Sequence, residues 1–303
     1  ENIKLIDKNF EQRDLDILIK YTFDNKENIK IGNIYRDIHF LKILKFAIRR
    51  RLSKEPISQI IGFRKFWNSR FYIDENVLDP RPETELLVEK VLELPDNKLS
   101  LIDLGTGSGC LAISIALERP YFEVFASDIS NDALKIAKIN SKINQAPVTF
   151  IKSNWFSKIN RTFDVIIANP PYISENEYND LPLSIRRFEP KIALIAGSKG
   201  LDCLSKIIKQ FLKYLKPNGK LFVEIGSTQK KMVKELFHYN GYKKIKFIND
   251  LSGKCRVVCV KKDAIWIESA KFYFFCSIFL LISKILLFSE YLHLVFTISI
   301  NTN

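Results

Sequence analysis

The chain has 303 residues, of which 47% are hydrophobic and 27% are charged, and its formal net charge is +13. This balance is typical of a globular protein and excludes an intrinsically disordered one. The length allows a catalytic domain of about 200 residues with a full core, together with a small accessory domain. Residues 263–303 contribute a net charge of −1, which leaves +14 for the rest. That charge either attracts an acidic protein, RNA or the ribosome, or reflects a coding bias toward Lys, Ile and Asn.

The first part of the chain predicts a small helical domain. It begins at Glu1 without methionine and without a visible signal peptide, which we interpret as a loss of the first residues or as a fragment of a longer chain. From Asp14 to about Arg70, apolar residues recur at the spacing of one helix face. They are Leu15, Leu18, Ile19, Ile34, Ile38, Leu41, Leu44 and Ile48. The run Arg49-Arg50-Arg51 is interpreted as a solvated face or as a contact surface for a protein partner.

A predicted short hairpin, which carries Phe66-Trp67 and Phe71-Tyr72, leads to a proline-rich hinge at Pro80–Pro82. Strands and helices then alternate, which predicts a mostly parallel, doubly wound sheet. The predicted strands are Leu101–Leu104, Val124–Ser127, Val148–Lys152, Val165–Ala168, Lys220–Ile225, Lys244–Ile248 and Arg256–Lys261. The last two flank the turn Asp250–Gly253 and are predicted to pair antiparallel.

A glycine loop follows the first of these strands. It consists of Gly105, Thr106, Gly107, Ser108 and Gly109. Its glycines permit positive φ and close approach of a ligand, and the helix that follows offers unpaired N–H groups. Asp128 ends the next strand, about 20 residues downstream, where a carboxylate suits the two hydroxyls of a ribose. The spacing G-x-G-x-G, with Asp103 ahead of it, favours S-adenosylmethionine over a nicotinamide dinucleotide.

The segment Asn169-Pro170-Pro171-Tyr172 directly follows the predicted strand Val165–Ala168. Neither proline can donate a hydrogen bond and both have a fixed φ, so the corner is rigid and rich in acceptors. The Asn169 oxygen and a neighbouring carbonyl can hold the two N–H groups of a planar amide or aromatic amine, and Tyr172 can pack on its face. Such prolines are also common in ordinary turns. Together with the glycine loop and Asp128, however, the corner predicts an N-methyltransferase.

In this combination the chain resembles the HemK/PrmC family, the release factor glutamine N5-methyltransferases. The match runs in order from about Leu52 to Val260. It is carried by Pro80–Glu89, Asp103–Gly109, Ser127–Ser130, Asn154–Phe156, Asn169–Tyr172, Phe188–Pro190, Gly200–Asp202 and Glu224–Gly226. The resemblance implies a class I S-adenosylmethionine-dependent methyltransferase fold with a small N-terminal helical domain.

The resemblance also implies roles for the motif residues. S-adenosylmethionine would be held by Gly105, Thr106, Gly107, Ser108, Gly109, Asp128 and Trp155, with Asn169 beside it. Substrate glutamine would be bound by Asn169, Pro170, Pro171 and Tyr172. We expect Asn169 Oδ1 and the Pro170 carbonyl to orient the reacting nitrogen and Tyr172 to wall the pocket, so Asn169, Pro170 and Tyr172 form the expected catalytic set.

The expected organisation is a helical substrate-recognition domain at residues 1–72, a hairpin, hinge and linker helix at 73–99, a catalytic domain at 100–262 and an apolar tail at 263–303. Release factors are the expected partners of a monomeric, cytoplasmic enzyme that needs no metal and keeps no stable nucleic-acid partner. The five cysteines contain no C-x-x-C pair, which favours reduced, buried thiols over a zinc site.

The tail has no counterpart in the family. Its apolar and aromatic run is interrupted by Lys284 and Glu290, whereas a membrane-spanning helix needs about 20 residues with few or no charges. Three interpretations stay open: a segment appended by a frameshift or by truncation of a longer fused chain, an extra packed or interfacial helix, and a membrane anchor, which is the least favoured.

Three other functions compete with methylation of a release factor. An adenine N6-methyltransferase acting on DNA or RNA could use the same corner, because a flipped base presents an exocyclic amine and could stack on Tyr172. A glutamine of a ribosomal protein is a close variant of the first substrate. The tail alone suggests a membrane-attached or catalytically idle binding module, against which the intact motifs argue.

Overall fold

The computed structural model describes residues 11–24, 38–95 and 97–263. In that part of the chain the helices are α1 (Gln12–Asp24), α2 (Ile38–Leu52), α3 (Ile57–Ile61), α4 (Glu85–Leu92), α5 (Cys110–Glu118), α6 (Asn131–Ile143), α7 (Glu175–Asp180), α8 (Leu183–Phe188), α9 (Asp202–Ile208), α10 (Phe211–Tyr214) and α11 (Lys230–Tyr239). The strands are β1 (Phe63–Phe66), β2 (Ser69–Tyr72), β3 (Ser100–Leu104), β4 (Glu123–Asp128), β5 (Val148–Lys152), β6 (Phe163–Ala168), β7 (Leu215–Glu224), β8 (Lys246–Asn249) and β9 (Cys255–Lys261). Short 3-10 helices occupy Pro82–Thr84 and Lys191–Ala193.

The larger sheet has the strand order β5-β4-β3-β6-β7-β9-β8. The five strands from β5 to β7 are parallel, and β9 runs antiparallel to both of its neighbours, β7 and β8. The predicted class I methyltransferase fold and its antiparallel closing pair are thus confirmed. Strand β7 is longer than expected because Leu215 already pairs with Phe163, ahead of a register shift.

Each face of the sheet carries its own hydrophobic core, because successive side chains of a strand point to opposite faces. In β6, Ile166 packs into one core, whereas Val165 and Ile167 pack into the other. All five residues of β3 are buried. Near-continuous burial of this kind is characteristic of a parallel strand that is covered by helices on both sides.

Helices α1, α2 and α3 pack around a small core of Leu18, Ala47 and Ile60. Two of the three consecutive arginines of α2 have acidic partners: Arg51 Nε lies 2.6 Å from Asp14 Oδ2, and Arg50 pairs with Glu55. Arg51 thus joins α2 to α1, while the interpretations of the run as a solvated face or as a contact surface for a protein partner stay predictions. The predicted hairpin is confirmed and is formed by β1 and β2.

Two long-range contacts attach the N-terminal segment and the proline hinge to the segment between β6 and β7. Gln59 Nε2 donates to the Phe188 carbonyl at 2.6 Å. Arg81 Nη2 donates to both carboxyl oxygens of Glu189, at 2.6 and 2.8 Å. The Glu189 side chain is only 1% exposed, so its carboxylate has lost most of its contact with water. The Arg81 guanidinium is the main group that offsets this loss.

The interpretations of the tail concern residues 263–303, of which all but Asp263 lie outside the described residues. Among the described residues, no helix combines the length and the apolar character that crossing a bilayer requires. The thiols of Cys110 and Cys255 are buried, whereas those of Cys203 and Cys259 are partly exposed.

We expect Arg81→Ala to destabilise the protein by about 2–3 kcal/mol, because it leaves the buried Glu189 carboxylate without its partner. The value lies toward the low end for buried pairs, since Arg81 itself is 30% exposed. Urea denaturation measures the change. Lys135→Ala, which breaks a solvent-exposed pair with Asp132, is the control and should leave the midpoint nearly unchanged. Equal midpoints for the two variants would contradict the role assigned to Arg81.

Candidate active site

The predicted site residues meet at one edge of the sheet. Strand β3 is hydrogen-bonded to β4 on one side and to β6 on the other, and all three are parallel. Their carboxyl ends therefore lie next to one another, which brings together the glycine loop after β3, Asp128 at the end of β4 and Asn169 after β6. In open α/β sheets, ligands bind at this edge.

Backbone hydrogen bonds hold the glycine loop against the end of β4. The N–H groups of Gly105 and Thr106 both donate to the Ser127 carbonyl, at 2.8 and 2.9 Å. The Gly107 N–H donates to Asp128 Oδ2 at 2.9 Å, and the Ser130 N–H donates to Asp128 Oδ1 at the same distance. The loop and the carboxylate expected to bind ribose thus form one hydrogen-bonded unit.

Gly107 and Gly109 are required for different reasons, although both have positive φ. A Cβ on Gly109 would lie 2.9 Å from Ile113 Cδ1 and 3.2 Å from Ala137 Cβ, so this glycine lets α5 approach α6. A Cβ on Gly107 would meet nothing within 4 Å. The space in front of Gly107 is therefore open to a ligand.

Two carboxyl groups flank the loop. Asp103 is completely buried, and burial raises its pKa to about 7, although Thr106 Oγ1 donates to Asp103 Oδ2 at 2.6 Å. Asp103 Oδ1 has no hydrogen-bond partner in the described structure. Burial also raises the pKa of Asp128, while the backbone N–H groups of Ser130 and Gly107 oppose the rise. A ligand with cationic groups fits such a cleft, because it would compensate carboxylates that have lost solvent.

Trp155 reaches the same edge from β5. Its indole ring lies beside the loop, since a Cβ on Gly105 would be 3.4 Å from Trp155 Cζ3. Trp155 has a positive φ of 51°, and Ser153 Oγ donates to its carbonyl at 2.8 Å. This turn aims the ring at the loop, where it offers a flat apolar wall.

The Asn-Pro-Pro-Tyr corner begins where β6 ends. Asn169 Nδ2 donates to Thr84 Oγ1 at 3.0 Å, which directs the carboxamide nitrogen toward the 3-10 helix. The Tyr172 carbonyl accepts from Gln229 Nε2 at 2.8 Å. It also lies so close to Gly200 that a Cβ there would be 2.3 Å away. The corner is therefore braced from three separate segments of the chain.

Behind the corner lies Glu224, at the end of β7, with only 1% of its surface exposed. Burial raises its pKa to about 7, and the Thr84 hydroxyl, the Arg256 charge and the Tyr172 hydroxyl oppose the rise. Burial likewise raises the pKa of Tyr172 to about 12, so Tyr172 is a neutral phenol at physiological pH.

Sequence reasoning gave no role to Thr84, Glu224 or Asn140. Thr84 and Glu224 fall within quoted motifs, but only the fold brings them to Asn169. Asn140 Nδ2 donates to the carbonyls of Tyr72 and Ser108, both at 2.9 Å, and so joins the hairpin to the glycine loop. The sequence signal for such a contact was an asparagine on the apolar face of an amphipathic helix. The structure buries this side chain completely.

Comparisons with known proteins agree with this geometry. A family model described as "Methyltransferase small domain" matches residues 76–183. The catalytic domain of hMettl16, solved in complex with a MAT2A 3'UTR hairpin, is 15% identical with a TM-score of 0.51 and covers 81% of this chain and 90% of that chain. This likeness shows the fold alone.

Two curated relatives are much more similar in sequence. The release factor glutamine methyltransferase of Lactococcus lactis subsp. lactis (strain IL1403) is 42% identical over 223 residues, which cover 73% of this chain and 83% of the relative. The release factor glutamine methyltransferase of Coxiella burnetii (strain RSA 493 / Nine Mile phase I) is 40% identical over 225 residues, which cover 73% of this chain and 80% of the relative. With its confirmed fold and these relatives, the chain is an S-adenosylmethionine-dependent methyltransferase and belongs to the release factor glutamine methyltransferase family.

Proposed function

We propose that this enzyme transfers a methyl group to the side-chain amide nitrogen (N5) of the glutamine in the Gly-Gly-Gln motif of peptide chain release factors. The observation that carries methyl transfer to a nitrogen with N–H groups is the orientation of Asn169. Its NH2 group is engaged by Thr84, which leaves Oδ1 available to accept an N–H from a substrate. The names of the similar proteins from Lactococcus lactis and Coxiella burnetii support the choice of substrate.

The reaction depends mainly on positioning. A carboxamide nitrogen is a poor nucleophile because its lone pair is delocalised into the carbonyl. S-adenosylmethionine, when bound, supplies a methyl group that is already strongly electrophilic. Asn169 Oδ1 and the Pro170 carbonyl accept the two N–H groups of the substrate, which orients the nitrogen and stabilises the positive charge that develops on it. Tyr172 and Pro171 wall the pocket, and the proton leaves to water.

At the cofactor end, we assign the binding of S-adenosylmethionine to Gly105, Thr106, Gly107, Ser108, Gly109, Asp128 and Trp155, with Asn169 at the boundary with the substrate. The open space at Gly107, the unpartnered Asp103 Oδ1 and the ring of Trp155 support this assignment. The fit is chemical as well as steric, because the sulfonium and ammonium groups of the cofactor are cations. No metal ion has a part in this mechanism.

We further propose that residues 1–72 bind the substrate protein and that residues 73–99 link them to the catalytic domain at residues 100–262. We also propose that the enzyme is a cytoplasmic monomer without a stable nucleic-acid partner. A second binding contact makes a whole protein a better substrate than a short peptide, because binding energy from outside the active site helps to orient the reacting group.

The substrate is tested with labelled S-adenosylmethionine and the full chain. We expect label on an intact release factor and none on the same factor with Gln→Ala in its Gly-Gly-Gln motif. A short glutamine peptide should react far more slowly. Duplex and single-stranded nucleic acid and total ribosomal protein are offered in parallel. Label on adenine would favour the nucleic-acid alternative, and label on a ribosomal protein alone would identify the other glutamine substrate.

Asp128→Ala should weaken binding of S-adenosylmethionine at least about tenfold, because charge-assisted hydrogen bonds contribute about 1.5–3 kcal/mol each. Isothermal titration calorimetry measures the affinity. Asp132→Ala serves as the matched control, since Asp132 lies in the first turn of α6, is exposed and pairs only with Lys135 among the contacts described. Normal affinity in Asp128→Ala would show that this carboxylate does not bind the ribose.

The two loop glycines give a second test of cofactor placement. Gly107→Ala should cost about 1–2 kcal/mol of stability through its positive φ, yet abolish cofactor binding, because the methyl group enters the open space. Gly109→Ala carries the same strain and also overlaps Ile113 and Ala137, which should cost about 1–3 kcal/mol more. Thermal unfolding and calorimetry separate the effects. Undiminished cofactor binding by Gly107→Ala would contradict the assigned position.

A further inference from the structure

The Thr84 hydroxyl lies between Asn169 and Glu224. Thr84 Oγ1 accepts from Asn169 Nδ2 at 3.0 Å, and the Thr84 hydroxyl faces the Glu224 carboxyl, which lies one residue beyond the paired Ala168 and Val223 of β6 and β7. Thr84 is 3% exposed and Glu224 is 1% exposed, and Glu224 Oε2 has no hydrogen-bond partner among the described residues, so neither group is satisfied by bulk solvent. A hydroxyl carries one hydrogen, and therefore it can donate to only one of its two neighbours.

The charge of Glu224 decides the direction of this pair of bonds. An ionised carboxylate can only accept, so the Thr84 hydroxyl donates to Glu224 and accepts from the Asn169 NH2 group. Asn169 Oδ1 then stays free for a substrate N–H. A protonated Glu224 can donate to Thr84, which releases the threonine hydrogen toward Asn169 and favours the flipped amide. In that state the corner presents NH2, which cannot accept from the substrate nitrogen.

We propose that Thr84 and Glu224 are positioning residues: they hold the Asn169 carboxamide with its oxygen toward the reacting nitrogen, and Glu224 does so as a carboxylate. The Tyr172 hydroxyl also faces Glu224 and favours its ionised form, so one carboxylate would align two walls of the substrate pocket. The inference rests on the proposed function only in requiring a substrate nitrogen with N–H donors.

The surroundings of Glu224 make this arrangement sensitive to pH. The groups that face it are Glu83 and Thr84 of the 3-10 helix, Tyr172 after β6, Arg256 of β9 and Cys110 of α5. Arg256 is shared with Asp250, to which its Nε lies 3.0 Å away, and with Glu83 at 3.7 Å, so its charge is not reserved for Glu224. Because burial raises the pKa of Glu224 to about 7, the carboxylate is lost as the pH falls through neutrality, and turnover falls with it.

The test compares Thr84→Val, which removes the hydroxyl at nearly constant volume, with Thr84→Ser, which keeps it. With saturating cofactor and a release factor, we expect kcat of Thr84→Val to fall about 10- to 100-fold, as small misplacements of a reacting group do. Thr84→Ser should stay close to wild type. Cofactor affinity should be unchanged in both variants. Thr149→Val, on the exposed surface of β5, controls for the substitution itself.

Glu224→Gln adds a second measurement, the pH dependence of kcat, which a merely structural role of Glu224 would leave unchanged. Its kcat should be low and should lack the acidic limb that wild type shows near pH 7. Asp103 titrates in the same range, but its effect belongs to cofactor affinity and disappears when the cofactor is saturating. Wild-type kcat in Thr84→Val, or an acidic limb that persists in Glu224→Gln, overturns the proposal.

The side-chain amide signals of Asn169 in ¹⁵N NMR test the same idea without any substrate. We expect them to shift with a midpoint near pH 7 in wild type and to lose this shift in Thr84→Val. Failure of wild type to methylate a release factor would refute the proposed function, while these signals would still decide the role of Thr84. Asn169 amide signals that do not change with pH in wild type would refute only the positioning role of Thr84 and Glu224.

Discussion

The site depends on one constraint, the parallel pairing of β3 with β4 and β6. Hydrogen bonding on both sides of β3 places three carboxyl ends within one short stretch of the sheet edge. The glycine loop, Asp128 and Asn169 are up to 64 residues apart in the chain but become neighbours for this reason alone. The antiparallel strands β8 and β9 then close the sheet beyond β7 and supply Arg256 to the back of the corner.

Local electrostatics at this edge oppose the charge of the whole protein. The chain is strongly basic, yet Asp103, Asp128 and Glu224 gather where the strands end, and burial raises the pKa of each. Carboxylates that have lost solvent stabilise cations strongly, because the surrounding dielectric is low. In the site that we propose, a cationic methyl donor would be stabilised by Asp103 and Asp128, and Glu224 would act through hydroxyl groups on the pocket walls. The global charge therefore says little about the catalytic site and more about the surface.

The sequence predicted the alternating strands and helices, the closing antiparallel pair and the motifs at the site, because glycine loops, strand-ending carboxylates and proline corners are local patterns. It did not predict what braces those motifs. Thr84 meets Asn169 across 85 residues, and Arg81 meets Glu189 across 108 residues. Such contacts have no local periodicity. The partner of Arg51 could not be predicted for the same reason, since Asp14 lies on another helix.

The geometry of the Asn-Pro-Pro-Tyr corner does not by itself distinguish one planar nitrogen substrate from another. In the proposed arrangement, Asn169 Oδ1 and the Pro170 carbonyl accept from two N–H donors on a planar group, and both a glutamine amide and an adenine amine provide such donors. Positioning of Asn169 by Thr84 and Glu224 serves either nitrogen equally well. Discrimination must therefore arise from contacts outside the corner. We propose that residues 1–72 supply these contacts, because Gln59 and the neighbouring proline hinge join the described part of this segment to the rest of the chain.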